Sequence, residues 1–406
     1  MDKKKLLFVG ISPQSFFSGQ GRVARALVDR LKDFYDVRVA GWGCISTDYN
    51  GVFVYPNSES WWEIIPQWQP DVLFLSHDVW RFPQLPKVRK QFRNLKIIGY
   101  FTIDGDPISN SWFPLFDACD VILVPSKWGR DVIFERYSRR PIIVIPQGVE
   151  LNLFYKVVDK ESVKKVVDEV TRKSDIKHKL YHSGKFTIFF AGMNQSKKNI
   201  GVMLDGFRLF AQDKNDVLLI LLMHTHKENV FGAEVLSDYN FADLYPWRDI
   251  LDKVEILEGT VGDDKLVQLY LVSDVLLSPS IGEGFGLFVL EAMATGVIPI
   301  ITNYSAFREL PHPDACFFLN VDAFYRARWN MNRAVVSDRS VCESLESAYR
   351  IWKNHLDIWR NMQRLNYDRV LGFSWDICAN KIRKIIDDLL KNDLFVDTEL
   401  RRLYHG

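Results

Sequence analysis

Cysteine is scarce in this chain of 406 residues: five (Cys44, Cys119, Cys316, Cys342 and Cys378), odd in number, widely spread and never in C-x-x-C spacing. Neither a disulfide framework nor a zinc cluster follows from such a set. Long apolar runs are missing too. The strongest, Val217–Met223 and Lys185–Phe190, are strand-sized, well short of the ~20 residues a spanning helix needs. The basic start, Met1-Asp2-Lys3-Lys4-Lys5, is followed by an apolar segment, Leu6–Gly10, too short for the h-region of a signal peptide. A cytoplasmic chain is expected, with at most peripheral contact at a membrane surface. Net charge is lacking as well, because 52 Lys and Arg oppose 51 Asp and Glu for a formal +1. No global field draws such a chain to nucleic acid, and no nucleic-acid partner is expected.

What is present is a globular composition. Apolar residues make up 47% and charged residues 25%, which excludes a disordered, collagen-like or coiled-coil protein. Aromatics reach 14%, with 12 Trp, enough for large packed layers and for stacking surfaces. At roughly 150 residues per domain the length predicts two or three domains.

Strand-like and helix-like stretches alternate from the start, the pattern of an α/β protein with parallel sheets. Leu6–Gly10 reads as a strand and Ser18-Gly19-Gln20-Gly21 as a Gly/Ser loop; Val23, Ala26, Leu27 and Leu31 then repeat at helical spacing. Val37–Ala40, Val52–Tyr55, Asp71–Ser76, Lys96–Thr102, Val121–Pro125 and Ile142–Ile145 read as further strands. From about Val158 to Gly184 the chain turns polar and charged, as in a surface helix plus linker. The α/β rhythm then restarts with strands Phe186–Phe190, Val217–Leu222, Val254–Leu257, Asp274–Leu277 and Val297–Ile301, and helices after Asn199, over Asp264–Leu271 and over Leu287–Thr295. From Ser340 onward helices are expected, with an apolar stripe of Ile377, Ile382, Ile385, Ile386, Leu389 and Leu390. Two α/β units with a charged join suggest two Rossmann-like domains facing across a cleft, with ligands beyond the carboxyl ends of the strands.

The densest signal is Glu283-Gly284-Phe285-Gly286-Leu287, followed by Glu291-Ala292-Met293-Ala294 and Gly296-Val297-Ile298-Pro299. It follows a strand and opens a helix. Glycines there let the backbone approach a ligand, and the free N–H groups and dipole of the first helical turn suit an anion such as a diphosphate. Glu283 falls in the loop, where it can bind hydroxyls; Glu291, inside the helix, can reach a sugar or ribose. The bland alternative is a tight strand-to-helix turn with two solvated acids.

These residues resemble the retaining glycosyltransferases of the two-domain GT-B fold, the glycogen-synthase-like and mannosyltransferase-like group (glycosyltransferase family 4-like). Other segments agree in order: Ser18–Gly21 with Arg22, Val124-Pro125-Ser126, Ile145-Pro146-Gln147-Gly148-Val149 ending at Phe154, Gly192 with Lys197-Lys198-Asn199, Asp264–Leu277, and Phe373-Ser374-Trp375. The resemblance covers nearly the whole chain. It implies an N-terminal Rossmann-like acceptor domain over 1–165, joined by a C-terminal helix over about 374–406 that crosses back to it. A donor domain would occupy 166–373. It further implies that Lys198 binds the donor diphosphate, Glu283 the sugar hydroxyls and Glu291 the ribose. Gly19, Gly21, Gly284 and the backbone of Phe285, Gly286 and Leu287 would face donor sugar and phosphate, and Gly259-Thr260-Val261 the nucleotide base. For Lys197 and Lys198 the bland reading is an exposed charge pair at a helix start.

Two departures from the family pattern stand out. Met193 occupies the place of a diphosphate-binding arginine, and Lys197 is the candidate substitute. Asp104, in Thr102-Ile103-Asp104, takes the place of a strand-end histidine; His77, in Ser76-His77-Asp78, ends an earlier strand and is a second cleft candidate. Asp104-Gly105-Asp106 can be read as a cation-binding pair or as an acidic turn before Pro107. With a lysine and a helix N-terminus already available to the diphosphate, no metal and no other cofactor is expected. The expected partners are therefore a nucleotide sugar and a sugar, lipid-linked or protein acceptor.

The expected activity is sugar transfer from a nucleotide-diphosphate sugar, with retention implied by the resemblance alone and no protein nucleophile in view. The alternatives are a nucleotide-sugar-binding protein without catalysis, favoured by Met193 and Asp104, and a GT-B epimerase. A phosphorylase would need a longer chain. A nicotinamide dehydrogenase would need a stronger fingerprint than Gly19-Gln20-Gly21. Trp42, Trp61, Trp62, Trp68, Trp80 and Trp112 either stack on carbohydrate or lipid or simply pack, and packing is the expectation.

Overall fold

The computed structural model describes residues 3–15, 18–44, 46–56, 60–154, 184–224, 228–230, 233–235 and 245–391. The charged join, apart from its last residue Gly184, and the expected boundary at 165/166 fall outside these residues. So does the end of the chain after Lys391.

Short apolar runs fold as strands buried on both faces, the arrangement that parallel sheets demand. Eight strands make the first sheet: β1 (Lys5–Ile11), β2 (Asp36–Trp42), β3 (Asp48–Tyr49), β4 (Val52–Pro56), β5 (Val72–His77), β6 (Lys96–Phe101), β7 (Val121–Val124) and β8 (Ile142–Val144). Their order is β3-β4-β2-β1-β5-β6-β7-β8. Only the two-residue β3, absent from the sequence reading, runs antiparallel, against β4. In the second half follow β9 (Phe186–Ala191), β10 (Val217–Met223), the hairpin β11 (Glu228–Val230) and β12 (Ala233–Val235), β13 (Val254–Glu258), β14 (Val275–Ser278), β15 (Ile298–Thr302) and β16 (Phe317–Leu319). A second hairpin, β17 (Ala323–Arg326) and β18 (Asn332–Val335), comes last. The second sheet has the order β13-β10-β9-β14-β15-β16, all parallel. The strands expected from the sequence are therefore present with ends moved by one or two residues; β16 and both hairpins are additions.

One apolar cluster joins the two halves. It holds Val23, Leu27 and Leu31 of the helix Gly19–Leu31, Phe189 and Leu276 of the second sheet, and Ile382, Ile385, Ile386 and Leu389 of the helix Trp375–Lys391. The last helix thus crosses back onto the first half, where Arg30 bonds Asp376 at 2.6 Å and the Tyr35 hydroxyl donates to Asp387 at 2.6 Å. The bridge between Val149 and Ser374 places the two crossings side by side. One detail of the expected stripe is corrected: Ile377 is 42% exposed. At about 100° per residue it falls beside the buried row, and Cys378 takes its place there.

Candidate active site

The carboxyl ends of both sheets meet at the Gly-rich segment. β14 ends at Ser278, the chain loops through Glu283 and Gly284, and the helix Leu287–Ala294 begins after Gly286. Gly286 sits at φ 112°, and a Cβ there would stand 2.7 Å from Phe307 Cε1, so only glycine fits. Gly284 is close-packed against the first half, where a Cβ would meet Thr102 Cβ at 2.6 Å. Gly19 and Gly21 are not loop residues as expected. The Ser18 hydroxyl accepts the Gly21 N–H at 2.9 Å, caps the helix and draws both glycines into its first turn. That turn reaches the second half: a Cβ on Gly19 would lie 3.9 Å from Leu287 Cδ1.

Lys198 ends a short 3₁₀ turn, Ser196–Lys198, before the helix Ile200–Ala211. It is buried rather than exposed, and its ammonium forms an ion pair with Glu283. Burial pulls Lys198 below the ordinary lysine value even though Glu283 works the other way. For Glu283 burial pushes upward, but Lys198 and Lys197 outweigh it and hold the carboxyl below its ordinary range. The loop that carries Glu283 is pinned by its own N–H, which donates to Ser305 Oγ at 2.9 Å. Lys197 is held above the ordinary lysine value by the charge of Glu283, against burial, with Asp104 and Asp78 adding to the same field. Met193 is 41% exposed and contributes no charge.

Glu291 is buried with both oxygens engaged: Oε1 accepts from Arg22 at 3.1 Å and Oε2 from the Tyr270 hydroxyl at 3.1 Å. Arg22 also bonds Asp263 at 2.7 Å. A cavity of about 250 Å³ opens beside this group, lined among others by Arg22, Arg25, Phe154, Asp263, Leu287 and Glu291.

Asp104 lies just past the end of β6 and accepts from Arg333 of β18 at 3.0 Å. Burial pushes its carboxyl up, and Arg333 and Lys197 offset this only in part. Asp106 accepts from the Tyr304 hydroxyl at 2.5 Å. The two acids of Asp104-Gly105-Asp106 therefore face separate protein partners. His77 closes β5; its Nδ1 accepts the Asp78 N–H at 2.7 Å, which leaves the proton on Nε2. Burial lowers its pKa, Arg81 and Lys197 lower it further, and Asp78 opposes them. A Cβ on Gly259 would lie 3.7 Å from His224 Cε1.

The structure thus brings Lys197, Lys198, Glu283, Asp104 and His77 into one charged neighbourhood and places Glu291 with Gly19 and Leu287 at a second. Arg22's hold on Glu291, and the roles of Asp263, Tyr270, Tyr304, Ser305 and Arg333, were not read from the sequence. Glu291 and its partner are 269 residues apart, Asp104 and its partner 229, and no local spacing signals such pairs.

This arrangement has relatives. Residues 171–316 match the family described as Glycosyl transferases group 1. A mannosylfructose-phosphate synthase of Agrobacterium fabrum is 26% identical over 190 residues, 46% of this chain and 38% of that protein. A glycogen synthase of Streptococcus pneumoniae is 26% identical over 185 residues, 45% of this chain and 37% of that protein. The chain thus spans less than two fifths of the length of these curated relatives. Among solved structures, sucrose-phosphate synthase of Thermosynechococcus elongatus superposes with a TM-score of 0.69 at 15% identity, over 96% of this chain and 100% of that one. Anabaena HepE in complex with UDP-glucose gives 0.66 at 14% identity, over 95% and 99%.

The fold is GT-B, and the group 1 glycosyl transferase match lies in its second half. The helix Leu287–Ala294 opens where the two halves of the chain meet, and Lys198, Glu283 and Glu291 lie in the second half. Among the described residues no helix is long and apolar enough to cross a membrane.

Proposed function

We propose that this protein transfers a sugar from a nucleotide-diphosphate sugar to an acceptor, with retention of anomeric configuration. The observation that carries the reading is the buried Lys198–Glu283 pair beside the Gly286–Leu287 helix start. A cation, a carboxylate and free helix-terminal N–H groups converge there. Charge grows on the leaving diphosphate as the glycosidic bond breaks, and fixed donors aimed at that charge are commonly worth ~3–4 kcal/mol each. On binding, the diphosphate takes over the Lys198 ammonium, and Glu283, released, accepts from sugar hydroxyls. Lys197 supplies the second charge in place of the arginine that Met193 lacks. Glu291 and the cavity beside it hold the ribose, with Arg22 giving way. The leaving phosphate takes the acceptor proton on the face it leaves, so retention needs no covalent intermediate. HepE's complex with UDP-glucose makes that donor the first to try.

The test is a thermal-shift screen of nucleotide sugars followed by turnover with acceptor mixtures. A ligand at 100 times its Kd should stabilise the protein by about 2.7 kcal/mol. Activity should survive EDTA. Loss restored by Mn²⁺ would move the diphosphate to Asp104 and Asp106 and sink this account.

A further inference from the structure

The short 3₁₀ turn Ser305–Glu309, just after β15, touches the candidate site at one end and the first half of the chain at the other. At its start the fully buried Ser305 offers its Oγ to the Glu283 N–H at 2.9 Å. In its middle Phe307 packs edge-on to Phe288, with ring centroids 5.7 Å apart, and the Lys198 ammonium lies 5.0 Å from that same Phe288 ring. At its end Glu309 accepts the N–H groups of Lys127 and Trp128, which open the helix Lys127–Phe134 of the first half. Ser126 Oγ takes the next one, from Gly129, at 3.0 Å. Two of the three donors in that first turn are therefore satisfied from the other half of the chain, by a carboxylate at the positive end of the helix dipole.

Two features make this turn more than a connection. Ser305 has φ 56°, in the left-handed region that glycine enters freely and serine does not. The Oγ that a glycine would lack is the atom that pins the Glu283 loop, so backbone strain is kept together with a positioning bond. The second feature is how the turn is clamped. Tyr304, just before it, donates to Asp106 of the first half at 2.5 Å, and Arg369 donates to the carbonyl oxygens of Glu309 and Leu310 at 2.5 and 2.6 Å. At about 2 Å of rise per residue the two ends of the turn are only ~8 Å apart, so a shift at Glu309 reaches Ser305 through few intervening bonds.

We propose that Ser305 is a positioning residue for Glu283, and that Glu309 makes this position depend on the docking of the two halves. With Glu309 seated on the helix Lys127–Phe134, the turn is fixed from both sides and Ser305 holds the Glu283 loop for its pairing with Lys198. When the halves part, Glu309 leaves that helix, the turn is held from its own half alone, and the Glu283 loop loosens. Glu283 is then set for sugar hydroxyls only while the halves are docked. No bond is made or broken at Ser305 or Glu309. The catalytic consequence rests on the sugar-transfer reading; the link from Glu309 through Ser305 to Glu283 does not.

Hydrogen exchange at the Glu283 loop of the ligand-free protein, read by mass spectrometry, tests the link without any substrate. Ser305→Gly and Ser305→Ala should speed that exchange about fivefold or more, the fold-change of one lost hydrogen bond, and Glu309→Ala should speed it through the turn. Glu309→Gln, which keeps a carbonyl oxygen, should restore part of the protection. Ser305→Gly should melt no lower than the parent because it relieves the strain, yet its kcat with UDP-glucose should fall about tenfold or more while UDP affinity stays within twofold. Parent-like exchange in Glu309→Ala, even with a larger radius of gyration, would overturn the link and leave Glu309 a tether alone. Parent-like kcat in Ser305→Gly with faster exchange would overturn the positioning role. The expected exchange pattern in a parent that neither binds UDP nor turns over UDP-glucose would instead overturn the donor reading and leave the link standing.

Discussion

Lys197 and Lys198 are neighbours in sequence with opposite electrostatic fates. Lys198 is buried against one acid, and burial wins; Lys197 sits in the combined field of Glu283, Asp104 and Asp78, and the acids win. If Lys197 stands in for the arginine absent at Met193, Lys197→Ala should weaken donor affinity or turnover on the scale of Lys198→Ala, about 1–3 kcal/mol for a lost charge-assisted bond. Met193→Arg should recover part of that loss in the double variant. A fully active Lys197→Ala in steady-state kinetics would show that one lysine and the helix terminus suffice. The direction of the Lys198 shift also sets a pH dependence. On the proposed reading its ammonium receives the diphosphate, and burial holds its folded-state value below 10.5, so protons leave it earlier than they leave an ordinary lysine as pH rises. Donor kcat/KM, which reports groups of the free enzyme, should therefore fall along an alkaline limb centred below 10.5. Lys198→Arg should move that limb upward, because a guanidinium stays charged. An alkaline limb unmoved in Lys198→Arg would assign it to another group.

Among the elements, the helix Leu287–Ala294 depends on a single residue for its entry. Gly286 combines φ 112° with close contact to Phe307, so Gly286→Ala meets both backbone strain and overlap. It should cost roughly 1–3 kcal/mol of stability, measured by denaturant unfolding, and should weaken UDP binding because the first-turn N–H groups are re-aimed. Unchanged unfolding would mean that the loop has room the geometry denies it. This helix was legible in the sequence because its determinants are local: glycines before an apolar run, with both glutamates inside a nine-residue window. The parallel strands were legible for the same reason, each a short apolar run with polar or Gly/Pro ends. The hairpin β17–β18 was not. Its first strand, Ala323–Arg326, is exposed at every residue, so no inside–outside alternation marks it. Gly19-Gln20-Gly21 misled in the other direction, since glycine suggests a loop until Ser18 is seen to cap the helix they begin. Lys198 and Glu283 were both picked out as site residues, but their pairing, like that of Arg22 with Glu291, is tertiary and left no trace in spacing.

At the scale of the whole molecule, side chains tether the domains across the cleft at several places. Arg22 of the first domain holds Glu291 and Asp263 of the second; Arg333 of the second holds Asp104 of the first; Tyr304 holds Asp106. Glu309 accepts the N–H groups of Lys127 and Trp128 and so caps the first-domain helix Lys127–Phe134 from the opposite side. These contacts describe a closed form in which Glu291 is already occupied. Tyr270 lies in the same domain as Glu291 and can keep its bond through any domain motion, whereas Arg22 cannot. On the proposed reading, a ribose that binds Glu291 would compete with the Arg22 tether, which would couple nucleotide entry to opening. Arg22→Ala removes one tether and leaves Asp263 with Arg25 at 3.2 Å. The closed form should lose roughly 1–3 kcal/mol relative to the open one. Small-angle scattering should then give a larger radius of gyration for the variant than for the parent. The affinity for UDP should hold or improve because Glu291 is released, while kcat falls because closure around the donor is harder to complete. Identical scattering curves together with weakened UDP binding would give Arg22 the opposite role, a group that binds the nucleotide itself and does not compete with it.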